Sequence, residues 1–200
     1  MACASHVLVF LFISQLALVT YTTALLCDSC VGLCKSSCEK ELNLSLYLHQ
    51  IAAGPNHNQE QIVSPSFANG FGTTGVNDWP LLDAPQPNAN IIARAKGLHI
   101  QASQEGGGWF SPFSMVFQEQ DSRFNRSTLQ VNGMIGPEAT GEWAIVGGTG
   151  KLAMARGIIK YKFPQIVTSV ENYRQLDIHA FYTPQAVFKI ERINEAEVDA

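Results

Sequence analysis

Four cysteines, Cys27, Cys30, Cys34 and Cys38, crowd into a dozen residues near the start of a 200-residue chain. In an oxidising compartment four thiols imply bridges, in one of three connectivities. The alternative is zinc, since Cys27-x-x-Cys30 resembles half a zinc site, but a second half at the usual spacing and a nearby His are both absent. No metal is therefore expected. No Cys follows residue 38, so any bridge staples a short N-terminal segment to itself or to a second chain. A second cluster, Gly147-Gly148-Thr149-Gly150-Lys151, invites comparison with a phosphate loop. Ile145 stands where that loop needs its first Gly, and Leu152 where Ser or Thr would meet magnesium, so the comparison fails. A tight turn between strands is the expected role, glycine taking positive φ at little steric cost. No nucleophile elbow or ordered Ser-His-Asp set can be assembled. The sequons Asn43-Leu44-Ser45 and Asn125-Arg126-Ser127 could accept N-glycans, Asn125 from a polar loop and Asn43 from the start of a strand.

These groups need elements to position them. Met1 to Leu26 holds no Asp, Glu, Lys or Arg, and its apolar stretch from Val7 to Val19 has the length of a signal-peptide core. Thr22 and Ala24 suit a cleavage site, which predicts a signal peptide over residues 1–24, secretion, and no membrane span after cleavage. A Cys-rich segment over 25–41 follows. Hydrophobic residues make up 46% of the chain and charged residues 15%, a balance that supports a packed core and excludes wholesale disorder. Thirteen Lys and Arg against 17 Asp and Glu leave no basic footprint for nucleic acid.

From Leu42 to Gln50, Leu42, Leu44, Leu46 and Leu48 alternate with Asn43, Ser45, Tyr47 and His49, the period of a half-buried strand. Similar runs recur at Asn90–Gln101, Phe113–Glu119, Ser127–Gly133, Trp143–Val146, Ala155–Phe163, Leu176–Tyr182 and Val187–Ile193, with weaker ones near Gln61 and Thr73. Strands at this spacing predict an antiparallel sandwich or barrel over 42–193, followed by a tail over 194–200. A closed barrel of about eight strands has room for side chains or one small ligand, and closure removes exposed edges. Ala52–Gln61 and Pro80–Asn90 read as long loops at a barrel mouth. Trp109, Phe110, Phe113, Phe117 and Trp143 read as packing aromatics.

Several runs then resemble the plant dirigent family. They are Phe71-Gly72, Val76-Asn77-Asp78-Trp79-Pro80-Leu81 against a family pattern of Val-x-Asp-Asp-Pro-Leu, Ala93-Arg94-Ala95-Lys96-Gly97-Leu98, Asn125 to Leu129, and Val146-Gly147-Gly148-Thr149-Gly150 followed by Ala155-Arg156-Gly157. They keep family order and cover about Leu42 to Arg192. The variants at His49-Gln50, Asn77-Asp78-Trp79 and Glu142 to Ile145 resemble the grass branch in which this domain often precedes a jacalin-like lectin domain.

The resemblance implies an eight-stranded antiparallel barrel of the allene oxide cyclase-like kind, secreted to the apoplast and forming a homodimer or homotrimer. It implies binding of phenoxy radicals of coniferyl-type alcohols made by a separate laccase or peroxidase. Stereoselective coupling to lignan-type products would then come from orientation alone, with no cofactor and no turnover of its own. A carbohydrate or other phenolic ligand bound by an apoplastic defence module is the alternative, favoured by Gln50 and the lectin-associated branch. An isomerase or cyclase is a third, since allene oxide cyclases resemble this family in fold.

Four residues are candidates for substrate binding. Asp78 matches the first Asp of the family motif and either gives a proton to a quinone methide from an apolar setting or caps a turn before Pro80. Arg156 either offers its donors to phenolic oxygens or pairs with Glu142 or Asp78. Arg94 has the same ambiguity. His49 keeps the family His, but Gln50 replaces the following Asp, and an amide cannot exchange a proton near neutral pH.

Overall fold

The leucine row that opens the domain is buried along one side of β1 (Lys40–Ile51), while Asn43 and Ser45 between them are exposed. The computed structural model describes residues 39–118, 123–138 and 140–183, all within the body of the chain that begins at Cys38. The signal peptide expected over 1–24, Cys27, Cys30, Cys34 and Cys38, the strand expected at Val187–Ile193 and the tail expected over 194–200 lie outside the described residues.

Ten further strands follow. They are β2 (Gln59–Val63), β3 (Thr74–Leu82), β4 (Ile91–Gln101), β5 (Trp109–Phe110), β6 (Phe113–Phe117), β7 (Thr128–Asn132), β8 (Met134–Ile135), β9 (Thr140–Thr149), β10 (Arg156–Ile166) and β11 (Glu171–Tyr182). Eight of them close a ring in the order β3-β1-β11-β10-β9-β7-β6-β4, every neighbour antiparallel, and the β3–β4 ladder from Thr74↔Ile100 to Leu82↔Ile91 joins its ends. The chain is the expected all-β, eight-stranded antiparallel barrel. β2 lies beside the first half of β3, and β5 with β8 extends from the last residues of β4.

Two expectations change. The faint strand near Thr73 is β3, a full member of the ring, so Asn77 to Leu82 form a strand and the loop read from Pro80 starts only after Leu82. Asp78 therefore caps no turn. Pro80 is tolerated because its missing N–H falls where β1 and β3 have already parted, their register pairs being Tyr47↔Leu82 and Leu48↔Leu81. The glycine run is a turn only at its end: Gly147 and Gly148 still belong to β9, which stops at Thr149, while Gly150 takes a φ of 63° and a single 3-10 turn leads to β10.

Alternation fills the barrel. Leu46, Trp79, Leu81, Met115, Phe117, Leu129, Trp143, Ile159 and Leu176 are all essentially inaccessible. Burial of a side chain of this size contributes about 1.5–3 kcal/mol relative to exposure. Gly97 marks where β4 leaves β6 for β5. A Cβ there would lie 2.2 Å from the Pro112 carbonyl oxygen and 2.6 Å from the Phe113 Cα. Backbone on both counts cannot rotate aside, so Gly97→Ala should lower stability by about 1–3 kcal/mol. A chemical-denaturation midpoint equal to that of wild type would contradict this.

Candidate functional site at the barrel mouth

The inward rows of β3 and β4 carry different chemistry along their length. In the middle they are Trp79, Ala93 and Ala95; toward the start of β3 and the end of β4 they become Asn77, His99 and Gln101. β11 changes the same way, its row Ala180, Ile178 and Leu176 ending in a buried Arg174. Antiparallel pairing brings these polar ends together at one mouth of the barrel, beside β2 and β5.

His99 is stacked against Trp109, ring centroids 4.4 Å apart and nearly parallel, and meets Trp79 edge-on at 5.3 Å. Its Nδ1 is 2.7 Å from the buried Ser111 hydroxyl. Burial, reinforced by the positive charge of Arg174, pushes the imidazole pKa down to about 4. His99 is therefore neutral near pH 7. Burial also lowers Arg174, to about 10, so the guanidinium stays charged. It lies over the rings of Tyr161 at 5.3 Å and Trp143 at 5.9 Å, and both rings are tied to the Met134 carbonyl by 3.2 Å hydrogen bonds from Tyr161 Oη and Trp143 Nε1. A desolvated cation on two aromatic faces is held electrostatically as well as by packing.

A relay of amides crosses the same mouth. Asn172 Nδ2 donates to Gln50 Oε1 at 3.1 Å, Gln50 Nε2 donates to Gln59 Oε1 at 2.7 Å, and Trp79 Nε1 donates to that same oxygen at 3.1 Å. Both positions at which this chain departs from the acidic residues of the family motifs, Gln50 and Trp79, thus converge on one side chain of β2. Among the described residues no Asp or Glu is buried. A cleft of about 80 Å³ opens here, lined by Gln59, Gln61, Thr73, Gly75, His99 and Trp109 among others.

The four residues singled out from the sequence are not brought into this cavity. Asp78 and Arg94 lie on the outward face of β3 and β4, the half-exposed carboxylate 2.6 Å from Arg94 Nε, with Lys96 at 3.9 Å. That setting is the reverse of the apolar one expected for Asp78. Arg156 is exposed and pairs with Glu39 at 2.8 Å, whereas Glu142 faces Lys160. His49 is outward too, 2.7 Å from Glu171 and stacked on Tyr173 at 4.3 Å. The sequons are exposed, Asn125 on a turn and Asn43 on the outer wall. His99, Arg174, Gln59 and Ser111, which the structure brings to the mouth, carry no motif that marks them in the sequence. Extending the apolar rows Ala93-Ala95-Gly97 and Ala180-Ile178-Leu176 by one step each would have found His99 and Arg174.

The family model for dirigent-like proteins matches residues 41–181, and the chain belongs to that family. A pterocarpan synthase 1 from Glycyrrhiza echinata is 33% identical over 154 residues, 72% of this chain and 79% of the relative. Dirigent protein 15 from Arabidopsis thaliana is 28% identical over 141 residues, 64% of this chain and 72% of the relative. A solved pterocarpan synthase dirigent protein superposes with a TM-score of 0.69 at 31% identity, covering 76% of this chain and 90% of its own. Relatives named as synthases show that the family includes catalysts, which overturns the expectation of a protein without turnover of its own.

The half-buried neutral imidazole makes a measurable demand on pH. Unfolded His99 takes up a proton near 6.5 while the folded form resists until about 4. Its contribution is therefore complete above pH 6.5 and lost as pH falls toward 4, on the order of 3 kcal/mol in all. Urea midpoints of wild type should drop between pH 6.5 and 4.5 more steeply than those of His99→Gln; parallel curves would contradict the assignment.

Proposed function

We propose that the protein is a dirigent-type catalyst that holds a phenolic substrate at the barrel mouth and governs the bond formed there. The observation that carries this is a neutral imidazole and a charged guanidinium set among Trp79, Trp109, Trp143 and Tyr161. When a phenol adds to a quinone methide, a carbon–oxygen bond forms, the phenol loses its proton, and the quinone oxygen gains one to become a phenol. Neutral His99 can accept the first proton, and Arg174 can hydrogen-bond the oxygen on which negative charge gathers. Contact with Trp109, the indole that lines the cleft, restricts the approach, and a difference of about 1.4 kcal/mol between mirror-image transition states gives tenfold selectivity.

The same restraint would direct coupling of coniferyl-type phenoxy radicals supplied by a laccase or peroxidase to a lignan. The names of the relatives favour closure of a phenolic precursor to a pterocarpan. No cofactor is called for in either reaction. We further propose secretion to the apoplast, N-glycans at Asn125 and Asn43, and assembly as a homodimer or homotrimer.

The test is chiral chromatography of two reactions run with and without the protein: coniferyl alcohol plus a laccase, and a phenolic precursor of a pterocarpan alone. One enantiomer should predominate in at least one of them. Arg174→Lys and His99→Gln should each lower the selective rate by about tenfold or more, and Asp78→Asn should leave the preference intact. Racemic products at unchanged rates in both reactions would refute the proposal.

A further inference from the structure

β2 is a wall with a hollow on either side. Inside is the cleft of about 80 Å³ at His99 and Trp109; outside is an open groove of about 360 Å³ lined by His57, Val76, Asp78 and Arg94 among others, and Gln59 and Glu60 belong to both. The outer groove has the size of a small-molecule site, roughly 300–1,000 Å³. The inner cleft does not: it is about half the roughly 150 Å³ of an apolar cavity known to accept benzene. A phenolic ring therefore needs the wall to move.

The wall stands at the least paired place in the ring. On one edge β1 pairs continuously with β11 from Lys40↔Tyr182 to Ile51↔Glu171; on the other it meets β3 only at Tyr47↔Leu82 and Leu48↔Leu81. Pro80 offers no N–H to continue that ladder. One residue bridges the gap. Asn58 receives a hydrogen bond from Ile51 N on its Oδ1 at 2.9 Å, donates from Nδ2 to His49 O at 3.0 Å, donates from its own N to Ile51 O at 3.1 Å, and accepts from Asp78 N at 2.9 Å. It mimics a strand between β1 and β3 and fastens the start of β2. Beyond Gln59 the residues of β2 are exposed, so what opposes its swing away from β1 is Asn58 and the bond from Gln50 to Gln59, while the short ladder from Gln59↔Asn77 to Val63↔Thr74 keeps it hinged on β3.

We propose that β2 is a gate between the outer groove and the inner cleft, that Asn58 is the positioning residue that holds it shut, and that a phenylpropanoid-sized phenol passes from groove to cleft through the β1–β3 seam. This rests on the mouth being the substrate site. It gives Asp78 and Arg94 a place at the outer vestibule, away from the bond-forming groups.

Two measurements test it. In hydrogen exchange of the free protein, the amides of Ile51 and Asp78 should exchange at least about tenfold faster than those of Leu46 and Leu48 in the same barrel wall; equal protection would overturn the gate. In stopped-flow quenching of tryptophan fluorescence by coniferyl alcohol, Asn58→Ala should speed association and dissociation together by about tenfold, the effect of one or two ordinary hydrogen bonds. Kd should change far less, and Asn58→Asp, which keeps the Oδ1 acceptor, should restore part of the difference. Unchanged rates in Asn58→Ala would refute the gate. Absence of quenching in wild type would count against the mouth as the substrate site, and amide exchange would then decide the gate alone.

Discussion

The β3–β4 ladder closes the ring, and closure fixes everything that follows. Once both edges of every ring strand have neighbours, each residue is committed to the inner or the outer face, and a slip of one position would exchange the two sets. The apolar rows of β1, β4, β10 and β11 make that slip costly, because it would turn residues such as Leu46, Ala95, Ile159 and Leu176 out to water. The chemistry available to a guest is therefore decided by parity along each strand. Asp78 and Asn77 are neighbours in sequence, yet one meets solvent and the other the interior.

Within that frame the mouth acquires an unusual electrostatic character. Its buried charged group is a guanidinium lying over two aromatic rings, its titratable neighbour is held neutral by burial, its other inward polar groups are amides and hydroxyls, and the carboxylate of Glu60 stands exposed at the rim, paired with His57. Such a setting suits groups that carry or develop negative charge on oxygen, as phenols do, and in the proposed reaction the proton transfer falls to the imidazole. The replacement of motif acids by Gln50 and Trp79 is coherent: both side chains donate to Gln59, so the amides form one connected set in which a carboxylate would change the charge of the whole mouth.

Much of the fold was legible. The leucine alternation of β1 and the glycine at position 150 specify a strand and a turn from local chemistry alone, and the motif order gives the barrel. β3 was faint because Gly75, Asn77 and Pro80 dilute its pattern, and because the seam that tolerates Pro80 exists only in the folded ring. The site was less legible than the fold. Charged residues such as Arg94 and Arg156 draw attention by type, but their partners, Asp78 and Glu39, are set by pairing across strands and along the outer wall. His99 and Arg174 sit in runs that look unremarkable, Gly-Leu-His-Ile and Asn-Tyr-Arg-Gln, and gain meaning only when the inward rows of separate strands are brought to the same end.

The proposed function requires a phenol to touch the inner face of the ring. Nuclear Overhauser contacts between a saturating phenolic guest and the aromatic rings of the protein measure this directly. The expected result is contact with the rings of His99 and Trp109 at the mouth. Contacts confined to outward rings such as His179 and Phe181, with His99 and Trp109 silent, would contradict the account.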